Sequence, residues 1–292
     1  MRAVAILGPG ISRADLRLFQ FPDVEVATLE EAGGFEKADA VLVLGGDGTI
    51  HRHLAALSAC QVPVLMVPRG SGNDFARALG LLGGRRAPLA WANFHTGISN
   101  VRSIDVGLIT SLDGERKQTH FCCVGGAGLD AEANRRANAL PRFLRGRGGY
   151  VLSVVRAMAA YQPQRITVFA APSDAQQSAP LAERFSEPTM FVAFANAPSY
   201  GGGMRIAPQA QLHDGKLDVC CVRQTARLRL LKSFPRVFSG RHLEMPEVEY
   251  FQTARLRLET ETPLDVYADG EYVCRTPVEV SVVPKALRVI VP

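Results

Sequence analysis

One glycine-rich turn constrains this chain more than any other feature. Ala40-Val41-Leu42-Val43-Leu44 is a continuous apolar run, the signature of a strand buried on both faces. Gly45-Gly46-Asp47-Gly48-Thr49 follows at once, and then Ile50, Leu54 and Leu57 recur at helical spacing with Ala55 and Ala56 between them. Three glycines in four residues leave the backbone bare at a strand-to-helix turn. Its N–H groups can approach an anion at the positive end of the helix dipole, so the turn reads as a phosphate cradle. Taken alone it could equally be a tight turn in which Asp47 or Thr49 caps the helix.

A second turn of the same kind shifts that balance. Val62-Pro63-Val64-Leu65-Met66-Val67 is another buried-strand run, and it leads into Pro68-Arg69-Gly70-Ser71-Gly72-Asn73-Asp74 with a helix to follow. The spacing leaves room for one helix between the two turns. Adjacent parallel strands of such a unit carry both glycine loops to one carboxyl edge of the sheet, where open α/β sheets bind ligands.

The surrounding chain fits two domains. Residues 1–105 alternate strand and helix: Ala3–Leu7, a helix near Arg13–Gln20, Val24–Thr28, and then the two glycine-loop units. This predicts a doubly wound parallel α/β domain. Gly8-Pro9-Gly10 begins like a dinucleotide fingerprint, but Arg13 stands where the third glycine belongs. From 106 to 292 the pattern becomes short strands, at Phe121–Val124, Arg165–Ala170, Thr189–Ala195, Leu217–Arg223, Leu256–Glu259, Pro263–Tyr267 and Val278–Val283. These predict a mainly antiparallel β-sandwich, its last few residues returning to the first domain. Ala171–Pro180 is small and polar and reads as a hairpin connection. At 292 residues and 47% hydrophobic, the chain can bury two cores.

Partner classes follow from charge and cysteine usage. A net charge of +5 suits a phosphate-bearing partner or an anionic membrane surface, and no nucleic-acid partner is expected. The six cysteines form no CxxC pair and read as reduced core thiols of a cytoplasmic protein. The first apolar run is too short for a signal-peptide core, and none approaches the ~18 residues of a spanning helix. There is no GxxxxGK[ST] segment, and neither His-Arg-Asp nor Asp-Phe-Gly occurs, which excludes P-loop enzymes and protein kinases.

Three more segments bear on chemistry. Gly126-Ala127-Gly128-Leu129-Asp130-Ala131 matches a relaxed nucleotide fingerprint, but no acidic residue occurs from Ala133 to Ser173 to hold a ribose. It reads as a glycine turn beside a cleft. Gly201-Gly202-Gly203 precedes Gln211, Asp214-Gly215-Lys216 and Asp218; by itself Asp214-Gly215 is a hairpin turn. Asp269-Gly270-Glu271 has the same plain reading, although two carboxylates across a glycine turn can both face a cleft.

The paired loops, with Asn196–Val219 and Asp269–Glu271, resemble the catalytic domain of diacylglycerol and sphingosine kinases, most closely the bacterial lipid kinases. The more distant NAD kinases share the first loop. The resemblance implies an ATP- and Mg²⁺-dependent lipid kinase, with diacylglycerol as the expected acceptor and phosphatidic acid as product. It maps nucleotide contacts onto Thr28, Gly45, Gly46, Asp47, Gly48, Thr49, Ile50, His51, Arg52, Gly70, Ser71, Gly72 and Asn73. It maps a metal site onto Gln211, Asp214 and Lys216, the first and last through carbonyl oxygens. It places the general base at Glu271, with Asp269 assisting. His51 and Arg52 stand where the family has Asn and Glu, Ser71 replaces Thr, and the family's N-terminal Asn-Pro-x-Ser-Gly segment is missing. An NAD kinase-like enzyme and a non-catalytic nucleotide- or lipid-binding regulator are the alternatives. The implied setting is the inner membrane face, with a homodimer left open. Two acid-free basic stretches, Arg135 to Arg165 and Arg223 to Arg241, carry interleaved apolar residues that suit docking on anionic lipid. Each can equally be a solvated helix face.

Overall fold

The computed structural model describes residues 1–114, 116–139, 147–172 and 179–292, with the side chains of 147–150 left out of account. The basic positions Arg142 and Arg145 and most of the connection Ala171–Pro180 lie outside the described residues.

Parallel strands build the first part: β1 (Arg2–Leu7), β2 (Glu25–Thr28), β3 (Ala40–Gly45) and β4 (Val64–Pro68), in the order β4-β3-β1-β2. Every residue of β3 is buried, as its continuous apolar run requires. The chain winds outward in opposite directions from β1 and β3, so the switch point falls between them and both leave a loop at one carboxyl edge. A short helix, α1 (Leu29–Ala32), returns β2 to β3. Helix α2 (Asp47–Cys60) joins β3 to β4 and buries Ile50, Leu54 and Leu57, the residues whose spacing predicted it. The short α3 (Asp74–Ala78) and α4 (Arg86–His95) follow β4, and Trp91 of α4 donates to Phe19 O at 2.8 Å. The segment Arg13–Phe19 is a 3₁₀ helix. Only Leu16 and Phe19 of it are buried, too narrow a stripe to hold a full α-helix.

An antiparallel β-domain makes up the rest. It contains β5 (Val101–Ser111), β6 (Gln118–Phe121), β7 (Val124–Gly128), α5 (Leu129–Ala139), α6 (Arg147–Ala160), β8 (Gln164–Ala170), β9 (Ala182–Ala195) and β10 (Leu217–Arg223). Helices α7 (Arg227–Ser233) and α8 (Arg236–Ser239) precede β11 (Val248–Thr253), β12 (Arg255–Thr260), β13 (Asp265–Ala268), β14 (Glu271–Arg275) and β15 (Val278–Ile290). The period of two in β9 sends Val192 and Phe194 into the interior of the β-domain, and Phe191, Ala193 and Ala195 into the core shared with the parallel sheet.

Residue 105 lies inside β5, which pairs with β15 from Val101 to Ser111. The two halves therefore meet along a ladder rather than a linker. Strand β15 reaches the parallel sheet itself, where Val289 pairs with Val64. Asp105 fastens the junction. Its buried carboxylate accepts N–H groups from Gly215 at 2.7 Å and Lys285 at 2.8 Å.

Two local expectations change. The expected strand Phe121–Val124 is broken by a bend at Cys122-Cys123, which separates β6 from β7. The expected glycine turn at Gly126–Gly128 is instead the end of β7, because its backbone pairs with β9 from Val124 opposite Ala195 to Gly128 opposite Phe191; the aromatic ring of Phe194 also occupies the space a side chain at Gly125 would need. Among the described residues no helix is long and apolar enough to cross a membrane.

Candidate functional site

The two glycine loops touch backbone to backbone. A Cβ on Gly46 would lie 2.9 Å from Gly70 Cα, and one on Gly70 2.6 Å from Gly46 Cα, so neither position tolerates a side chain. Gly46 is the N-cap of α2 and supplies no side-chain hydrogen bond, which leaves first-turn N–H groups of a fourteen-residue helix for another acceptor. The capping alternative is thereby answered. Asp47 reaches across to the second loop, where it accepts N–H groups of Asp74 at 3.1 Å and Phe75 at 3.0 Å. It caps its neighbour's helix, not its own. Asn73, with φ of 53°, folds its side chain back onto Gly70, accepting from Gly70 N at 2.8 Å and donating to Gly70 O at 2.6 Å.

The β-domain closes over these loops at two points. Asp74, buried, accepts Gly202 N–H at 2.7 Å and so draws the triple-glycine loop against the second turn. Asp269 and Gly270 have φ of 50° and 85°, the hairpin geometry of a two-residue turn between β13 and β14. The plain turn reading and the functional one thus coincide, because this hairpin presents Glu271 to the loops. Glu271 Oε1 lies 2.9 Å from where a Cβ on Gly48 would sit. The resulting cleft, about 300 Å³, is lined by Gly46, Asp47, Gly48, Gly70, Ser71, Gly72, Asp74, Cys123, Asn134, Ala137, Asn138, Tyr200, Gly201, Gly202, Asp269, Gly270 and Glu271.

Asp269 is committed to structure. Its carboxylate accepts N–H groups of Cys122 and Cys123, each at 2.8 Å, and meets His51 Nδ1 at 3.1 Å. With those partners it orients the turn and has little freedom to take a proton from substrate. Burial works against a charged His51, but its hydrogen bond to Asp269, the Asp269 charge and the Glu271 charge together raise its pKa above the ordinary value. Asp47 is raised to about 6, chiefly by burial, with Asp74 and Asp269 adding repulsion against its two backbone hydrogen bonds.

Other expected contacts lie elsewhere. Thr49 and Ile50 are buried side chains beneath the loop, and Gly45 ends β3 against Thr49. Arg52 Nε donates to Gly48 O at 3.0 Å. Thr28 caps α1, accepting Glu31 N–H at 3.4 Å, and does not line the cleft; Glu31 in turn pairs with Arg13. Asn73 borders a separate groove with Arg69 and Leu18.

Gln211, Asp214 and Lys216 also lie outside the cleft lining. Asp214 Oδ1 accepts Lys216 N–H at 3.1 Å. Beside them is Asp218, almost fully buried, with Oδ1 accepting from Tyr250 at 2.6 Å and Oδ2 unpartnered. Burial raises the pKa of Asp218, and the charge of Asp214 raises it further. An orphaned carboxylate oxygen next to a second carboxylate fits a hard divalent cation with oxygen ligands.

Sequence reasoning missed Asp74 as a clamp and the polar face of α5. Tyr200 donates to Asp130 Oδ1 at 2.6 Å, and Asn138 Nδ2 donates to Gly270 O at 2.8 Å. Asp130, Asn134 and Asn138 recur every fourth residue, a polar stripe on one face of the helix that opens after Gly128.

Gly48 gives one direct test. In Gly48→Val the new side chain drives into a flexible carboxylate, not backbone, so the fold survives while Glu271 is displaced. Titration with ATP and steady-state assays should show KM for ATP raised and kcat lowered together. A folded variant with both constants unchanged would separate the loop from the chemistry.

Comparison with known proteins finds relatives over most of the chain. The family model "Diacylglycerol kinase catalytic domain" matches residues 13–109, and "YegS C-terminal NAD kinase beta sandwich-like domain" matches 123–291. The diacylglycerol kinase of Mycobacterium tuberculosis is 34% identical over 254 residues, covering 87% of this chain and 77% of that protein. A Bacillus subtilis protein of the same name is 24% identical over 257 residues, with coverage of 87% and 78%. A solved Bacillus anthracis structure, provisionally named a diacylglycerol kinase, aligns over 100% of this chain and 97% of its own, with a TM-score of 0.73 at 22% identity. That likeness speaks to the fold.

Proposed function

Because this chain belongs to the diacylglycerol kinase catalytic-domain family and is a lipid kinase, we propose that it transfers the γ-phosphoryl group of ATP to the hydroxyl of diacylglycerol. The observation that carries this reading is the approach of Glu271 to Gly48 across the cleft. A carboxylate there meets an incoming alcohol beside the backbone that cradles the transferred phosphate. An alcohol is too weak an acid to ionise unaided, so Glu271 accepts its proton as the new O–P bond forms. The bond from the γ-phosphorus to its bridging oxygen breaks, and ADP leaves with that electron pair. Gly46, Gly48, Gly70, Ser71 and Gly72 position the phosphates, and Asp269 with His51 holds the hairpin that carries the base.

The cleft is acidic. Asp47, Asp74, Asp269 and Glu271 line it, and no lysine or arginine does among the described residues. A polyphosphate enters such a site with a divalent cation, which neutralises charge developing on the transferred group. Asp47 and Asp74 are the carboxylates at the phosphate loops that would meet that ion through their remaining lone pairs. Gln211, Asp214 and Lys216, joined by Asp218, would hold a second cation with a structural role.

A lipid acceptor is supported by what lies behind Tyr200. That residue borders both the cleft and an apolar cavity of about 40 Å³ among Ala133, Val154, Met158, Met204 and Ile206. Outward from this cavity, Leu152, Val155, Leu228 and Phe238 are exposed on α6, α7 and α8. Arg156, Arg227, Lys232 and Arg236 are exposed around them. Leu230 of α7 points into the core, so the helix is both a core element and an outward apolar face. We assign this face to docking on anionic bilayer, each cation being worth ~1 kcal/mol near such a surface.

The experiment is labelled ATP with diacylglycerol in phosphatidylglycerol vesicles, and with the same lipid in neutral detergent. Label should enter phosphatidic acid in both, and salt should depress only the vesicle reaction. Leu228→Glu with Arg227→Gln should likewise lower vesicle activity and spare detergent activity. No label in any diacylglycerol product overturns the acceptor. Equal losses in both assays would overturn the docking face.

A further inference from the structure

Cys122 and Cys123 are adjacent, yet both side chains lie in one core, because the chain bends between β6 and β7 instead of continuing as a strand. Cys220 and Cys221 show the contrast. They sit within β10, and the alternation of the strand sends one thiol into each of two cores. Only the first pair converges, with Sγ atoms 4.0 Å apart. Cys122 Sγ lies 3.4 Å from Asp269 Oδ2, and one ligand atom from each of the three residues falls within 4.8 Å of the others.

Two of the three separations match a metal polyhedron, and the third lies within 4.8 Å. With Zn–S of about 2.3 Å and Zn–O of about 2.1 Å, tetrahedral angles require S···S of about 3.8 Å and S···O of about 3.6 Å. The observed 4.0 and 3.4 Å differ from these by about 0.2 Å. Cys123 lines the cleft, so an ion has a path to the thiols from solvent. Among the described residues this is the one group of three or more Cys, His, Asp and Glu side chains converging in this way.

We propose that Cys122, Cys123 and Asp269 form a site for a thiophilic divalent cation, Zn²⁺ in the cell, whose occupation inhibits the enzyme. Binding forms two metal–thiolate bonds and one metal–carboxylate bond, and the two thiol protons pass to solvent. No electrons are exchanged. Three protein donors leave the fourth position of the ion to water. Inhibition follows because Asp269 Oδ2 also holds His51 and the hairpin bearing Glu271. An ion drawing on that oxygen loosens the turn beside the base. The inhibitory step rests on the kinase reading; the binding step does not.

Cd²⁺ serves as the optical probe, because cadmium thiolates absorb in the ultraviolet where the free ion does not. Titrating the reduced full chain should raise this band to saturation at one Cd²⁺ per chain, with about two protons released per ion in weak buffer. Zn²⁺ should abolish the band by displacement. Cys122→Ser or Cys123→Ser should remove it, while Cys220→Ser and Cys221→Ser should leave it intact. Absence of a saturable band in the wild-type chain overturns the site, whatever the variants do. So does a band that survives Cys123→Ser. In the kinase assay Zn²⁺ should inhibit, and a zinc-selective chelator should restore activity with Mg²⁺ kept in excess. A normal cadmium band without inhibition would overturn the inhibitory role alone.

Discussion

Glu271→Gln should lower kcat by about 10²–10⁴-fold while KM for ATP changes little. The substitution keeps the size of the side chain and its hydrogen-bonding reach, and removes only its capacity to take a proton. Glu271 is exposed at the start of β14, and its backbone pairing with Ala268 is untouched by a change of side chain, so the fold loses nothing. Asp269→Asn provides the contrast. An amide cannot accept from Cys122 N and Cys123 N together as the carboxylate does, and its NH₂ group would face one of those donors at 2.8 Å. That variant should lose stability by about 1–3 kcal/mol, the cost of a buried unpaired group, along with activity. The pair distinguishes a base from a scaffold. Near wild-type kcat for Glu271→Gln on diacylglycerol would reduce Glu271 to a turn residue, and Asp47 would become the candidate base.

What could be read from the sequence was whatever depends on local pattern. Val41 to Leu44 could be placed as a buried strand, and Ile50, Leu54 and Leu57 as the buried stripe of α2, because period and hydrophobicity are local properties. The convergence of the two glycine loops followed from parallel-sheet topology. Other features depend on partners remote in sequence. Nothing near Asp269 announces that its carboxylate spans Cys122 and Cys123, nearly 150 positions earlier. Gly126 looked like a turn because β9, the strand that it pairs with, is distant in the chain. Asp47 read as a cap of its own helix or a nucleotide contact and Asp74 as part of the second loop, and only the fold shows each capturing backbone from another loop. His51 and Arg52 replace the family's usual residues, and the structure turns both away from the cleft opening, one to Asp269 and one to Gly48 O.

Asp47→Asn should make the stability of the protein less dependent on pH and lower its activity. In the folded chain the Asp47 carboxyl titrates at about 6 rather than 3.8, so the native state holds its proton more tightly than the unfolded state does. Stability from this group is therefore full below the unfolded value and is lost as pH rises through the folded one, by about 3 kcal/mol across that window. At neutral pH the charged form is kept at a cost, repelled by Asp74 and Asp269 and stripped of water, with two backbone N–H groups as partial compensation. Asparagine cannot charge, but its NH₂ group faces one of the two N–H donors, at a cost of about 1–3 kcal/mol that does not vary with pH. The melting temperature of the variant relative to the wild type should therefore rise by on the order of 5 °C between pH 4 and pH 7.5. Turnover should fall by about 10²–10³-fold, the scale for losing one preorganised electrostatic partner of a transferring phosphoryl group. The measurement is thermal unfolding of both proteins across pH 4 to 8, beside steady-state kinetics at saturating Mg²⁺. A melting difference between the two proteins that stays constant from pH 4 to 8 would mean that the buried charge costs the fold nothing, and the assignment of Asp47 as a strained functional carboxylate would fail with it.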